Sequence, residues 1–246
     1  MRATSGTIDA EEIGRFAARA ESWWDPEGSF RTLHRINPTR LRFIRQQLTA
    51  HFRRDPSSLQ PFEGLTLLDI GCGGGLVAEP MARLGFTVTG IDAGAEAIDA
   101  ARTHAEAMGL AIDYRVIGPE SIAEAGKSFD TVLALEVIEH VADPADFLAA
   151  VSVLVRSGGA FIGATLNRTP RSFALAIVGA EYLFRWLPPG THDWRKFLRP
   201  SEFVLGLRRN GFVATQLAGL IYDPPRAEWS LSPDLRVNYM VSAARR

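Results

Sequence analysis

From Leu65 to Thr165 strand-like and helix-like runs alternate without a break, and that order leaves few ways to fold. Apolar, β-branched segments at 65–70, 86–91, 111–116, 129–135 and 160–165 are separated by helical stretches at about 75–84, 95–108, 119–125 and 144–155. Such alternation implies a parallel sheet covered by helices on both faces. Phe129 to Leu135 is nearly all apolar, as a strand buried on both sides requires. The first strand breaks into Gly71-Cys72-Gly73-Gly74-Gly75, where the backbone can pass under a ligand that any Cβ would touch. The second is closed by Asp92, about twenty residues beyond the turn, where a carboxylate grips ribose hydroxyls in doubly wound nucleotide folds. The dinucleotide spacing G-x-G-x-x-G would need glycine at position 76, which is Leu76.

The flanks are less regular. Residues 9–22 carry Ile13, Phe16 and Ala17 at helical spacing, and Trp23-Trp24-Asp25-Pro26-Glu27-Gly28 reads as a turn. Asn37 is the expected N-cap of a helix over 38–52, with Pro38 at its first position. These pieces form an N-terminal helical extension, residues 1–60, ahead of an α/β domain over 61–246. A turn at Ser157-Gly158-Gly159 precedes strand five. Helix 200–209 and strands 212–217 and 237–243 complete the sheet with a hairpin-like edge. Between strand five and that helix lies an insert of about 167–199, whose core, 172–187, is mainly apolar and ends in Pro188-Pro189-Gly190. It reads as a core helix, as the wall of a hydrophobic substrate tunnel, or as a contact with a membrane surface.

A net charge of −1 over 246 residues removes any bulk pull toward nucleic acid, so no nucleic-acid partner is expected. The single cysteine excludes an internal disulfide and fits a reducing compartment. Met1 to Gly6 lacks the apolar core of a secretion signal, and no stretch is long enough to span a bilayer. The cytoplasm is the expected location.

Asp69 stands at the glycine turn, able to receive an ammonium group; Cys72 reads as a small packed residue. Gly118-Pro119-Glu120-Ser121 follows strand three, where an adenine edge is bordered, and Leu135 at the end of strand four would pack on the ring or simply in the core. If Glu136-Val137-Ile138-Glu139-His140 is helical, Glu136, Glu139 and His140 share one face. That set suits a divalent cation that lowers the pKa of a catechol hydroxyl, a general base acting alone, or a hydrogen-bonded turn. His192 and Asp193 follow the insert and face the substrate or cap a loop. Arg35 and Arg40 read from the residues alone as a solvated helix face.

The glycines at 71, 73 and 75 resemble motif I of S-adenosylmethionine (SAM)-dependent methyltransferases. Nearly the whole chain resembles the ubiquinone-biosynthesis O-methyltransferases within class I of that group. The resemblance is carried by Trp23 to Gly28, Leu33 to Arg40, Leu68 to Gly75, Glu136 to His140, Thr165 to Arg168, Val178 to Tyr182, Pro189 to Trp194 and Val237 to Met240. It implies a Rossmann-like fold with a seven-stranded, mostly parallel sheet. SAM contacts follow at Arg40, Gly71, Asp92 and Leu135, with Gly73, Asp69 and Glu120 beside them; Arg40 thereby changes from a solvated residue to a cofactor ligand. Glu136, Glu139 and His140 would hold a magnesium-like ion, with Glu136, His140 and His192 serving catalysis. Where relatives carry more polar residues by the adenine, this chain has Gly118-Pro119. The implied substrate is a polyprenylated catechol, methylated on a hydroxyl. Association of 172–187 with the inner-membrane surface and docking to ubiquinone-pathway enzymes are further implications. Methylation of another small phenol or lipid, nicotinamide-dependent oxidation and non-catalytic lipid binding are the rival readings.

Overall fold

The computed structural model describes residues 23–175, 177 and 193–246; the helix expected over 9–22, most of the insert core and His192 lie outside the described residues. Helix α1 (Arg31–His51) precedes β1 (Thr66–Ile70), α2 (Ala78–Arg83), β2 (Thr87–Asp92), α3 (Ala95–Ala107) and β3 (Asp113–Val116). Then come α4 (Pro119–Glu124), β4 (Phe129–Leu135), α5 (Pro144–Leu154) and β5 (Val155–Leu166). After the insert, α6 (Pro200–Arg209) leads to β6 (Phe212–Asp223), β7 (Glu228–Ser232) and β8 (Asn238–Arg245).

Among the described residues the sheet has eight strands, in the order β3-β2-β1-β4-β5-β8-β6-β7. The first five in that order pair in parallel, and the last three are joined by antiparallel ladders. Alternation along each strand sends neighbouring side chains to opposite faces. Leu67, Leu133, Ile162 and Met240 meet Phe43, Ile44 and Leu48 of α1, Met81 of α2 and Ile98 of α3 on one side. Leu68, Val132, Phe161 and Val241 meet Ile122 of α4, Phe147 and Val151 of α5 and Phe203 and Leu207 of α6 on the other. The sheet is thus buried between two helical layers, as the alternation requires.

Three local expectations change. Helix α1 starts at Arg31, so Pro38 lies inside it and Asn37 is not an N-cap. An interior proline costs a helix a hydrogen bond and strains the preceding turn. That turn is held from outside: His34 Nε2 bonds the Trp23 carbonyl oxygen at 2.7 Å, and Asn37 Nδ2 donates to the Leu76 carbonyl at 2.7 Å. Next, Ser157-Gly158-Gly159 is part of β5 and bulges the ladder instead of preceding it. Three residues of β4, from Phe129 to Thr131, face six of β5, from Val155 to Ala160, and Gly158 takes φ +77°. Lastly, the sheet has an eighth strand instead of ending at seven. β6 continues to Asp223 and folds back as β7, whose Trp229 and Leu231 pack toward α1. Thr39 of α1 fastens this hairpin by donating from Oγ1 to the Trp229 carbonyl at 2.8 Å.

Candidate active site

The carboxyl ends of β1, β2, β3 and β4 lie side by side, and the loops that leave them converge over one edge of the sheet. This is where open α/β folds take ligands. At the end of β1 the Gly71 and Cys72 amides both donate to the Ile91 carbonyl, at 2.8 and 3.1 Å, drawing the glycine turn against β2. Gly71 takes φ +68°, and a Cβ there would lie 2.5 Å from Val137 Cγ2. Gly75 takes φ +90°, with the Tyr114 hydroxyl 2.3 Å from where its Cβ would be. Glycine is required at both by conformation and by space. Cys72 is buried among these residues and its thiol is pushed well up by burial first, then by Asp69 and Asp92, which fits a packed residue and not a nucleophile.

Asp92 closes β2. One of its oxygens accepts from the Gly73 amide at 2.9 Å, the other from the Gly94 amide at 2.8 Å. These bonds orient the carboxylate and leave lone pairs for a diol. Burial raises its pKa, and the Gly94, Gly73 and Ala93 amides pull it back. Asp69, one strand away, is buried, and its Oδ2 has no hydrogen-bond partner. Burial first, and then the like charge of Asp92, push its carboxyl up to about 7. A buried acid with a free oxygen is costly unless something cationic meets it. An amino-acid ammonium is such a group, so the pair suits a molecule carrying both a ribose and an amino acid.

Arg40 enters from α1. It is 5% exposed, so the solvated helix face read from the residues alone does not hold. Its Nη2 pairs with Glu136 Oε1, while its Nε is buried without a partner. Arg35, by contrast, is exposed and pairs with Glu27 at 3.6 Å. Glu120 lies in the first turn of α4 behind Pro119. The Ile117 amide donates to the Asp92 carbonyl at 3.1 Å, which brings that loop beside Asp92. Leu135 is half-buried at the end of β4 and packs on the core layer that contains α1.

The cluster at the end of β4 differs from expectation. Glu136 adopts φ +57°, a left-handed conformation that costs a non-glycine residue about 1–3 kcal/mol and recurs at functional sites. It therefore cannot belong to one helix with Glu139 and His140; only Ile138–His140 form a short 3₁₀ turn. Glu139 is buried, and its Oε2 accepts from Thr165 Oγ1 at 2.9 Å. Burial raises its pKa most; His140 lowers it and Glu136 raises it further. With Glu136 turned to Arg40 and Glu139 to Thr165, the shared helical face does not form. Among the described residues no group of three His, Cys, Asp or Glu side chains is placed to hold a metal ion, so as arranged Glu136, Glu139 and His140 do not fit a resident divalent cation.

Two features escaped sequence reasoning. One is the Arg40–Glu136 pairing, between residues 96 apart with no motif to link them. The other is the packing of Trp23 and Trp24 on the glycine turn, for which the adjacent tryptophans were the available signal. At the base of the insert, Trp194 Nε1 donates to the Thr169 carbonyl at 3.0 Å, joining its two ends, and Phe173 and Leu175 are 46% and 51% exposed. Among the described residues no helix is long and apolar enough to cross a membrane.

Comparison with known proteins agrees with this geometry. Residues 68–163 match the family model described as a methyltransferase domain. The ubiquinone biosynthesis O-methyltransferase of Paramagnetospirillum magneticum is 54% identical over 96% of this chain and 94% of its own length. That of Cereibacter sphaeroides is 53% identical over 99% of both chains. The solved structure of magnesium protoporphyrin IX methyltransferase from Synechocystis with bound SAM superposes with a TM-score of 0.61, covering 99% of this chain and 100% of that one at 16% identity, a likeness of fold. The glycine turn, the free Asp69 oxygen and the oriented Asp92 fit that cofactor. The chain is a SAM-dependent methyltransferase with a Rossmann-like fold, and it belongs to the family of ubiquinone biosynthesis O-methyltransferases.

Proposed function

We propose that the protein methylates a catechol hydroxyl on a polyprenylated ring in ubiquinone biosynthesis, both on an early dihydroxybenzene or benzoate intermediate and on the later demethylubiquinol. The single observation that carries this reading is the paired acids at the glycine turn, one oriented for a ribose and one unsatisfied, in a chain that follows its relatives along its length. SAM supplies a methyl group on a cationic sulfur. The chain's own groups hold and orient it: Asp92 takes the ribose diol, Asp69 the ammonium and Arg40 the carboxylate, while Glu120 and Leu135 border the adenine. Gly71 and Gly73 let the backbone run beneath.

The catechol oxygen must lose its proton before it can take the methyl group in line, and a base at the end of β4 provides for this. Glu136 and His140 stand there, and His192 is the third candidate, from the insert. Holding donor and acceptor in line and excluding water accounts for most of the remaining acceleration such a site can offer. A prenyl tail requires an apolar approach, and the exposed Phe173 and Leu175 support a role for residues 172–187 at a membrane surface, with the protein peripheral on the cytoplasmic face. Docking to other enzymes of the pathway belongs to the same picture.

The test is mass spectrometry of quinone intermediates in cells lacking the protein, joined to a methyl-transfer assay on a short-chain prenyl catechol. Accumulated demethylated catechols and transfer in vitro are expected. Normal quinone in the deletion strain, with no transfer to the catechol, would remove the assignment.

A further inference from the structure

The tryptophan segment does more than reverse the chain. Trp23 is buried, with its ring stacked on Phe30 at 3.7 Å between centroids and 7° between planes. The same ring lies on the glycine turn: a Cβ on Gly73 would be 2.5 Å from its Cη2, and one on Gly74 would be 2.6 Å from its Cγ. Its neighbours fix it there. His34 bonds its carbonyl oxygen, and Trp24 Nε1 donates to the Gly74 carbonyl at 3.0 Å. Trp24 in turn stacks on His104 of α3, at 3.5 Å and 5°, and His104 Nδ1 meets the buried Glu79 carboxylate at 2.7 Å.

One donor in this strap has no acceptor. Trp23 Nε1 is buried and unpartnered, although a buried indole N–H ordinarily finds a partner. Arg40 Nε is a second such donor, and Asp69 Oδ2 is an acceptor without a donor. The Tyr114 hydroxyl at Gly75 is unpartnered as well, but the one acceptor and the two donors are a set that a zwitterionic amino acid would satisfy. Its ammonium takes the acceptor and its carboxylate takes the donors. An indole can only donate, so it faces the carboxylate and not the ammonium.

We propose that Trp23 is a cofactor-binding residue whose indole N–H donates to the carboxylate of the amino-acid end of SAM, beside Arg40. The inference rests on reading the glycine turn as the SAM site. It makes the N-terminal strap part of that site and not merely its cover.

Calorimetry with SAM and with decarboxylated SAM tests it. Trp23→Phe keeps the stacked ring and removes only the donor. It should weaken SAM about tenfold, the worth of a hydrogen bond to a charged group, and leave decarboxylated SAM unchanged. Equal affinity of variant and wild type for SAM, or an equal loss for both ligands, overturns the proposal. Should Trp23→Phe fail to fold, the ¹⁵N-labelled indoles of the wild-type protein give the answer. One indole proton should move downfield with SAM and stay in place with decarboxylated SAM; five tryptophan signals that respond alike to the two ligands would overturn it. Failure of the wild type to bind SAM at all would instead remove the cofactor-site reading beneath it.

Discussion

Asp69 sets the pH behaviour of the site. Its folded pKa, about 7, lies above the ordinary value of 3.8, so its contribution to stability is present below pH 4 and is lost as pH rises through 7. The ligand-free protein should therefore melt at a lower temperature, relative to Asp69→Asn, as pH rises from 5 to 8; parallel thermal scans check this. Cofactor binding has the opposite slope, because an ammonium prefers the ionised acid. SAM affinity should rise through pH 7 in the wild type and stay nearly flat in Asp69→Asn, as read by calorimetry across that range. Asp92 differs in kind, since both of its oxygens already accept backbone amides. Asp92→Ala should reduce SAM binding beyond calorimetric detection, and unchanged affinity would discard the pocket. Glu136 holds its left-handed conformation beside Arg40. Glu136→Ala should lower kcat at least tenfold while changing SAM affinity much less; full activity in that variant would end its catalytic role.

At the scale of elements, the strand and helix alternation, the glycine turn and the acid ending β2 were legible in the sequence because each is a local pattern. α6 was also read with its observed bounds, from Pro200 to Arg209. What the sequence hid was whatever long-range contact decides. Pro38 looked like a helix start, yet bonds from His34 and Asn37 to the Trp23 and Leu76 carbonyl oxygens hold a helix that begins at Arg31. Glu136 looked helical with Glu139, and one backbone angle separates them. Arg40 looked solvated from the residues alone; only the family resemblance made it a cofactor ligand, and its burial comes from the packing of α1. That packing carries a prediction of its own. The β6–β7 hairpin buttresses α1 through Thr39, next to Arg40. Thr39→Val leaves the Trp229 carbonyl without this donor and should raise KM for SAM severalfold with little change in kcat. An unaltered KM would mean that Arg40 is positioned without the hairpin.

At the scale of the whole molecule, the helical layers make a rigid sheet and leave chemistry to one edge. The insert leaves the same edge after β5, with Trp194 and Thr169 drawing its ends together. If its apolar side meets lipid, replacing Phe173 and Leu175 by serine should reduce cosedimentation with vesicles of anionic and zwitterionic phospholipid. Methyl transfer to a soluble catechol should remain. Equal cosedimentation of variant and wild type would move the contact elsewhere.

The two acids of the glycine turn have a consequence for traffic through the site. The groups assigned to them, an ammonium and a ribose, survive when the methyl has gone. Neither carboxylate can therefore distinguish fresh donor from spent thioether, and only the lost methyl group and the charge that left with it separate the two. The spent form should compete strongly with its precursor, and output in the cell would then follow how quickly that by-product is cleared.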